Sequence, residues 1–149
     1  MRFMLVLTYD EAAAANRTPD PAVFEEMGRF NQAMVDAGVL LAGEGLAPSA
    51  QGAILEYGTG EEPTVTDGPF TEVKELIGGF WILQVDSLSD AVGWARRAPF
   101  YEGEHIQVRR IFDPEDFAGV APPEVMEAEE KMRAQSEARA PEGQQDSTA

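Results

Sequence analysis

Apolar positions change period several times along the chain, and each change marks an element. Residues 2–9, Arg-Phe-Met-Leu-Val-Leu-Thr-Tyr, form an apolar run rich in β-forming side chains and predict a central strand. Residues 10–20 read as a loop with a short alanine-rich turn. From Asp20 the spacing becomes helical: Val23, Met27, Phe30 and Met34 fall on one face. Asp20 is placed to cap this helix, Pro21 fits its first position, and Glu25 and Glu26 suit the positive end of its dipole. Gly38 is the expected stop just past Ala37. The Met and Phe stripe reads as core packing.

Residues 39–42 predict a strand running into Gly43-Glu44-Gly45, where two glycines suggest a bulge or a close backbone approach. Short strands over 52–57 and 64–66, separated by a turn at 58–63, predict a hairpin. Residues 76–85 predict a long strand, with Gly78-Gly79 marking a bulge or room for a neighbouring side chain. Ser87-Leu88-Ser89-Asp90 opens a second helix whose buried face is Leu88, Ala91, Val92 and Ala95. Arg96 and Arg97 suit its negative end, and Pro99 ends it. Residues 104–112 predict the last strand, 122–140 an extra helix with little apolar cover, and 141–149 a disordered tail.

Strand, helix, strands, strand, helix, strand is the order of a ferredoxin-like α+β layer, an antiparallel sheet with two helices on one face. Strand 76–85 is apolar on both parities: Leu76, Gly78, Phe80 and Ile82 alternate with Ile77, Trp81, Leu83 and Val85. Both faces of the sheet are therefore expected to be covered, one by the helices and the other by a second copy, giving a homodimer. The domain is expected over 1–118, with a helical extension over 119–140.

Charge narrows the partners. The net charge is −16, and most of the acidity lies within 1–119. Such a surface repels phosphate backbones and anionic lipid, so neither nucleic acid nor membrane is an expected partner. The apolar start is too short to span a bilayer and lacks the pattern of a signal peptide, so a cytoplasmic location is expected. There is no cysteine, and His105 is the single histidine. No transition-metal ligand set follows, and neither a metal nor a cofactor is expected.

The densest chemistry lies at residues 67–75, Asp-Gly-Pro-Phe-Thr-Glu-Val-Lys-Glu, directly before the long strand. Gly68 can adopt positive φ, and Pro69 fixes its own φ, so a stiff turn is expected. Asp67 is either a turn former or a site carboxylate held by that turn. In the catalytic reading Asp67 is the general base or acid, with Glu44 or Glu72 beside it and Lys74 as electrostatic stabiliser. Two carboxylates in a half-apolar cleft push their pKa values apart, which suits proton transfer. The bland alternatives are a solvent-facing Glu44 and a Lys74 paired with Glu75. In a binding reading Tyr9, Phe70 and Trp81 line a pocket for an apolar or aromatic ligand, although a tryptophan in such a strand also serves as core.

The motif at 67–75, followed by Leu-Ile-Gly-Gly-Phe-Trp, resembles the signature of the DGPF proteins, a branch of the YCII-related superfamily. Met-Arg-Phe-Met-Leu-Val-Leu at the start and 37–46, Ala-Gly-Val-Leu-Leu-Ala-Gly-Glu-Gly-Leu, extend the resemblance over about 1–118. The resemblance implies a dimeric α/β barrel, in which relatives pair sheet to sheet. One related line performs dehalogenation or lyase chemistry with a His-Asp pair, the His lying at the start of the first helix. Here 19–27 holds no histidine, so that role does not carry over to this chain. The resemblance leaves two functions open. One is a small-molecule enzyme of the lyase or isomerase type with a carboxylate-lined site. The other is a non-catalytic module linked to extracytoplasmic-function sigma factor signalling.

Overall fold

The computed structural model describes residues 1–18, 20–60, 62–70 and 75–139. Two compact units divide at Ile111, residues 1–111 and 112–149. The first contains β1 (Arg2–Tyr9), α1 (Glu11–Ala15), α2 (Pro21–Asp36), β2 (Leu40–Gly45), β3 (Ala53–Glu56), β4 (Thr64–Asp67), β5 (Leu76–Gln84), α3 (Leu88–Ala95) and β6 (His105–Arg110). The second contains α4 (Pro123–Arg139). The tail expected over 141–149 lies outside the described residues.

Four strands form one sheet in the order β2-β5-β1-β6, each pair antiparallel. This is the strand order of a ferredoxin-like fold, and β3 and β4 form the expected separate hairpin. Both helix starts follow their sequence signals. Asp20 accepts a hydrogen bond from the Ala22 amide at 2.9 Å, and Ser87 Oγ accepts one from Asp90 at 3.1 Å. Gly38 turns the chain out of α2 at φ 67°.

The core forms where β1 and β5 turn alternate side chains toward α2 and α3. Phe3, Leu5, Trp81, Leu83 and Val85 meet Phe30, Met34 and Ala91 there. Full burial of one such large apolar side chain contributes about 1.5–3 kcal/mol. Trp81 anchors the cluster, with Phe30 edge-on at 5.9 Å and Phe100 tilted at 5.9 Å. On α3, Leu88 departs from the expected buried face: it is 54% exposed, and Ala91 is the residue that is sealed. Leu88 is the first residue of α3.

Alternation sends Met4 and Val6 to the other face, opposite Ile82 and Phe80 in the strand register. All four are half-buried. Two irregularities shape the sheet. Leu40 pairs with Leu83 and Ala42 with Ile82, so Leu41 is an extra residue in β2. Leu7 pairs with Gly79 and Thr8 with Ile77, so Gly78 is the extra residue in β5. Gly79 is required by proximity, since a Cβ there would lie 2.8 Å from the Glu44 carbonyl oxygen on β2.

In the second unit a short 3-10 turn, Pro114–Phe117, leads toward α4, and the Phe112 and Phe117 rings pack at 5.2 Å. Val125 and Met132 of α4 are largely exposed, as its sparse apolar pattern implied. Among the described residues no helix is long and apolar enough to cross a membrane.

Gly79 and Gly93 make a matched test of this packing. Gly79→Ala pushes a methyl into backbone that cannot yield, and we expect a loss of about 1–3 kcal/mol in urea unfolding. Gly93 faces open space on α3. Gly93→Ala is expected to stabilise by up to about 1 kcal/mol in the same assay.

Candidate functional site

Three segments converge at the end of β1. Immediately after Tyr9, Asp10 caps α1 by accepting from the Ala13 amide at 3.0 Å, which sets Glu11 in the first helical turn. Between β2 and β3 the chain makes a 3-10 turn, Ser49–Gln51. After β4 comes the turn at 67–70, whose Gly68–Pro69 peptide is cis.

Glu11 ties these segments together. The Ser49 amide donates to Glu11 Oε1 at 2.8 Å, and the Ser49 hydroxyl donates to Glu11 Oε2 in a short bond. Ser49 Oγ in turn accepts from the Phe70 amide at 3.1 Å. The result is a relay from the Phe70 N–H through a buried hydroxyl to a carboxylate. Hydrogen bonds ending on an ionised group are stronger than neutral ones. The two bonds from Ser49 hold the Glu11 carboxyl below the usual glutamate range.

The same corner explains Gly68. Its φ is not positive, contrary to the conformational argument made for it from sequence; the requirement is space. A Cβ at Gly68 would overlap the Ser49 carbonyl oxygen, and the Gly68 amide donates to Gly52 O at 2.9 Å. Glycine therefore lets the turn at 67–70 lie directly on the Ser49 backbone.

Beside this corner is a hollow of about 290 Å³ lined by Tyr9, Leu46, Pro48, Ser49, Phe70 and Leu76, among others. The Tyr9 ring packs over Gly78, where a Cβ would be 2.8 Å from its Cε1 atom. Burial pushes the Tyr9 phenol above its ordinary pKa, and the negative charges of Glu11 and Glu104 push the same way. Glu104 is fixed by Arg17 at 2.7 Å and by the Tyr101 amide at 3.0 Å. Arg17 also lies over the Tyr101 ring, 5.0 Å from its centroid. Tyr9 thus brings a phenol, protonated at neutral pH like any tyrosine, to an otherwise largely apolar wall, while Glu11 is already engaged and is a weak base.

The sequence candidates separate into groups. Tyr9 and Phe70 share the hollow just described. Trp81 and Glu44 line a second hollow of about 290 Å³, together with Leu7, Met27, Asn31 and Phe100. Asp67, the last residue of β4, pairs with Ala53 and is exposed. Its carboxylate makes no hydrogen bond to another described residue. Glu72 and Lys74 lie outside the described residues. His105 is exposed on β6, across from Thr8. Among the described residues no cluster of three or more His, Asp or Glu side chains is arranged to hold a metal ion.

Sequence reading missed Glu11, Ser49 and Asn31. Asp10-Glu11 directly after a central strand was a usable signal, since strand ends are where fixed side chains meet loops. Ser49 and Asn31 had none.

The βαββαβ order, the 4-stranded antiparallel sheet and the corner at 67–70 define a ferredoxin-like α+β protein carrying a hollow at the end of its first strand. The YCII-related domain model matches residues 1–115, and the chain belongs to this family. An uncharacterized protein of Rhizobium meliloti (strain 1021) is 33% identical over 94 residues, covering 61% of this chain and 75% of that protein.

The lowered Glu11 value has a defined pH consequence. Its contribution to stability is full above the unfolded carboxylate range, about pH 4.3, and is lost as pH falls through the folded value. We expect Glu11→Gln to be less stable at neutral pH and to lose less stability on acidification below about pH 4.3 than the parent. Thermal melts across this range check it; parallel acid limbs in the two proteins would contradict the relay.

Proposed function

We propose that the protein acts on a small, uncharged carbonyl compound bound in the Tyr9–Phe70 hollow, moving a proton at the carbon next to the carbonyl. The observation that carries this reading is the neutral Tyr9 phenol on the wall of a largely apolar hollow beside the anchored turn at 67–70. A phenol kept protonated donates to a carbonyl oxygen and stabilises the enolate that forms there. In this proposal Asp67, which is exposed at the start of the turn and lines neither hollow, is the base, so the reacting carbon projects from the hollow toward that turn. The carboxylate takes the proton as the C–H bond breaks, and the electron pair moves onto the carbonyl oxygen held by Tyr9. Glu72 and Lys74 belong to the same sequence motif, and the proposal keeps Glu72 as a second carboxylate and Lys74 as an electrostatic stabiliser. Glu11 and Ser49 position the turn and do not touch the substrate. This is chemistry of the lyase or isomerase type and requires no metal.

The exposure of Asp67 favours a second reading, in which the hollow binds a ligand without transforming it. Hydrogen–deuterium exchange into cyclohexanone and δ-valerolactone in heavy water separates the two. Catalysis predicts exchange above the buffer rate, abolished by Asp67→Asn and slowed about 10²–10⁴-fold by Tyr9→Phe. Binding alone predicts a saturable thermal shift with either compound and no enhanced exchange. Exchange that survives Asp67→Asn would remove Asp67 from the mechanism.

The half-buried Met4, Val6, Phe80 and Ile82 also support a homodimer closed sheet to sheet. Light scattering at micromolar concentration is expected to give twice the monomer mass, and Phe80→Glu to give the monomer. A monomeric parent protein overturns this assembly.

A further inference from the structure

The second hollow, on the helix side of the sheet, has a polar feature that the proton-transfer reading does not use. Its wall is formed by Met27 and Asn31 of α2, Leu7 of β1, Leu40 of β2, Trp81 of β5 and Phe100. The indole N–H of Trp81 can only donate, and it lies 2.9 Å from Asn31 Oδ1. That bond fixes the amide orientation. The oxygen must face the indole, so the NH2 group is turned the other way. No described residue accepts a hydrogen bond from that NH2 group. Asn31 is thus a polar residue, with its NH2 group turned from the indole, on a wall otherwise built mainly from aromatic, aliphatic and glycine residues.

We propose that this hollow binds an uncharged planar aromatic compound bearing a carbonyl group. Its ring packs against Met27, Phe100 and the exposed margin of Trp81, and its carbonyl oxygen accepts from the Asn31 amide. The volume of about 290 Å³ suits one or two fused rings. Glu44 on the rim and the net charge of −16 disfavour an anionic ligand. Close approach of the ring to the strands is possible because Gly43, Gly45, Gly78 and Gly79 carry no side chain. At Gly43 a Cβ would lie 2.8 Å from the Trp81 ring.

The probes are 1-tetralone and tetralin, which share a ring skeleton and differ by the carbonyl. The chain has two tryptophans, so Trp94→Phe leaves Trp81 as the sole indole reporter. Fluorescence titration of this protein is expected to show tetralone binding about tenfold tighter than tetralin, the value of one well-made hydrogen bond. Asn31→Asp keeps an acceptor for the indole and removes the donors, so the preference for the ketone is expected to disappear. In the unsubstituted protein, the Asn31 side-chain amide resonances are expected to shift with tetralone and not with tetralin, a readout independent of any variant's folding. Equal affinities, a preference that survives Asn31→Asp, no saturable change, or an unmoved Asn31 amide at saturation would each overturn the proposal. The Asn31 amide shift is read without any exchange assay, and the exchange assay is read without Asn31, so failure here is distinguishable from failure of the proton-transfer reading.

Discussion

The carboxylate of Glu11 is the joint on which the functional end of this molecule depends. Three segments far apart in sequence reach it: the start of α1 directly, the Ser49 turn by two hydrogen bonds, and the 67–70 turn through the Ser49 hydroxyl. The charge on Glu11 strengthens the relay, and the near-complete burial of Ser49 keeps water from competing for it. Without the joint, the turn at 67–70 would keep its backbone bond from Gly68 to Gly52 and little else seen among the described residues. A hollow between a strand end and two loops has a defined shape only if the loops are held, and here one ionised side chain holds both.

The sheet contributes through what it leaves out. Extra residues at Leu41 and Gly78 interrupt the strand ladders on either side of β5. Glycines fill the places where a Cβ would strike the Tyr9 ring, the Trp81 ring or the neighbouring strand's backbone. The Tyr9 ring can therefore pack against Gly78, and Trp81 can reach α2 to donate to Asn31. The two hollows adjoin at this point, one lined by Gly78 and the other by Tyr9 and Ile77. Their polar groups differ in kind. The first has a phenol whose proton is held by burial and by nearby carboxylates, while the second has an amide whose orientation is set by an indole.

Electrostatics at the strand end follows from the same arrangement. Arg17 neutralises part of Glu104 at 2.7 Å, yet Tyr9 still feels the negative charge of Glu104 as well as that of Glu11. The acidic composition of the chain thus has a local effect as well as a general one. It adds to burial in raising the Tyr9 pKa and raises the cost of bringing an anion to either hollow.

Much of the architecture was legible in the chain itself. The apolar run of β1, the Asp20-Pro21 start and Gly38 stop of α2, the Ser87 cap of α3 and the two-sided apolar strand β5 each carry a local signal, because backbone geometry and hydrophobic period act within a few residues. The 67–75 motif likewise marked the family and the corner. Which side chains meet was another matter. Glu11 and Ser49 are 38 positions apart, Asn31 and Trp81 are 50 apart, and Tyr9 and Phe70 come from distant segments that line one hollow. Long-range register decides these encounters, and a one-residue shift in pairing redirects a side chain to the opposite face. The chain alone therefore determined the elements, their order and the acidic turn, all set by short-range chemistry. Only the tertiary structure decided that Gly68 serves contact with Ser49 rather than a left-handed turn, and that Tyr9 and Trp81 face different hollows, because both outcomes depend on atoms brought together from distant parts of the sequence.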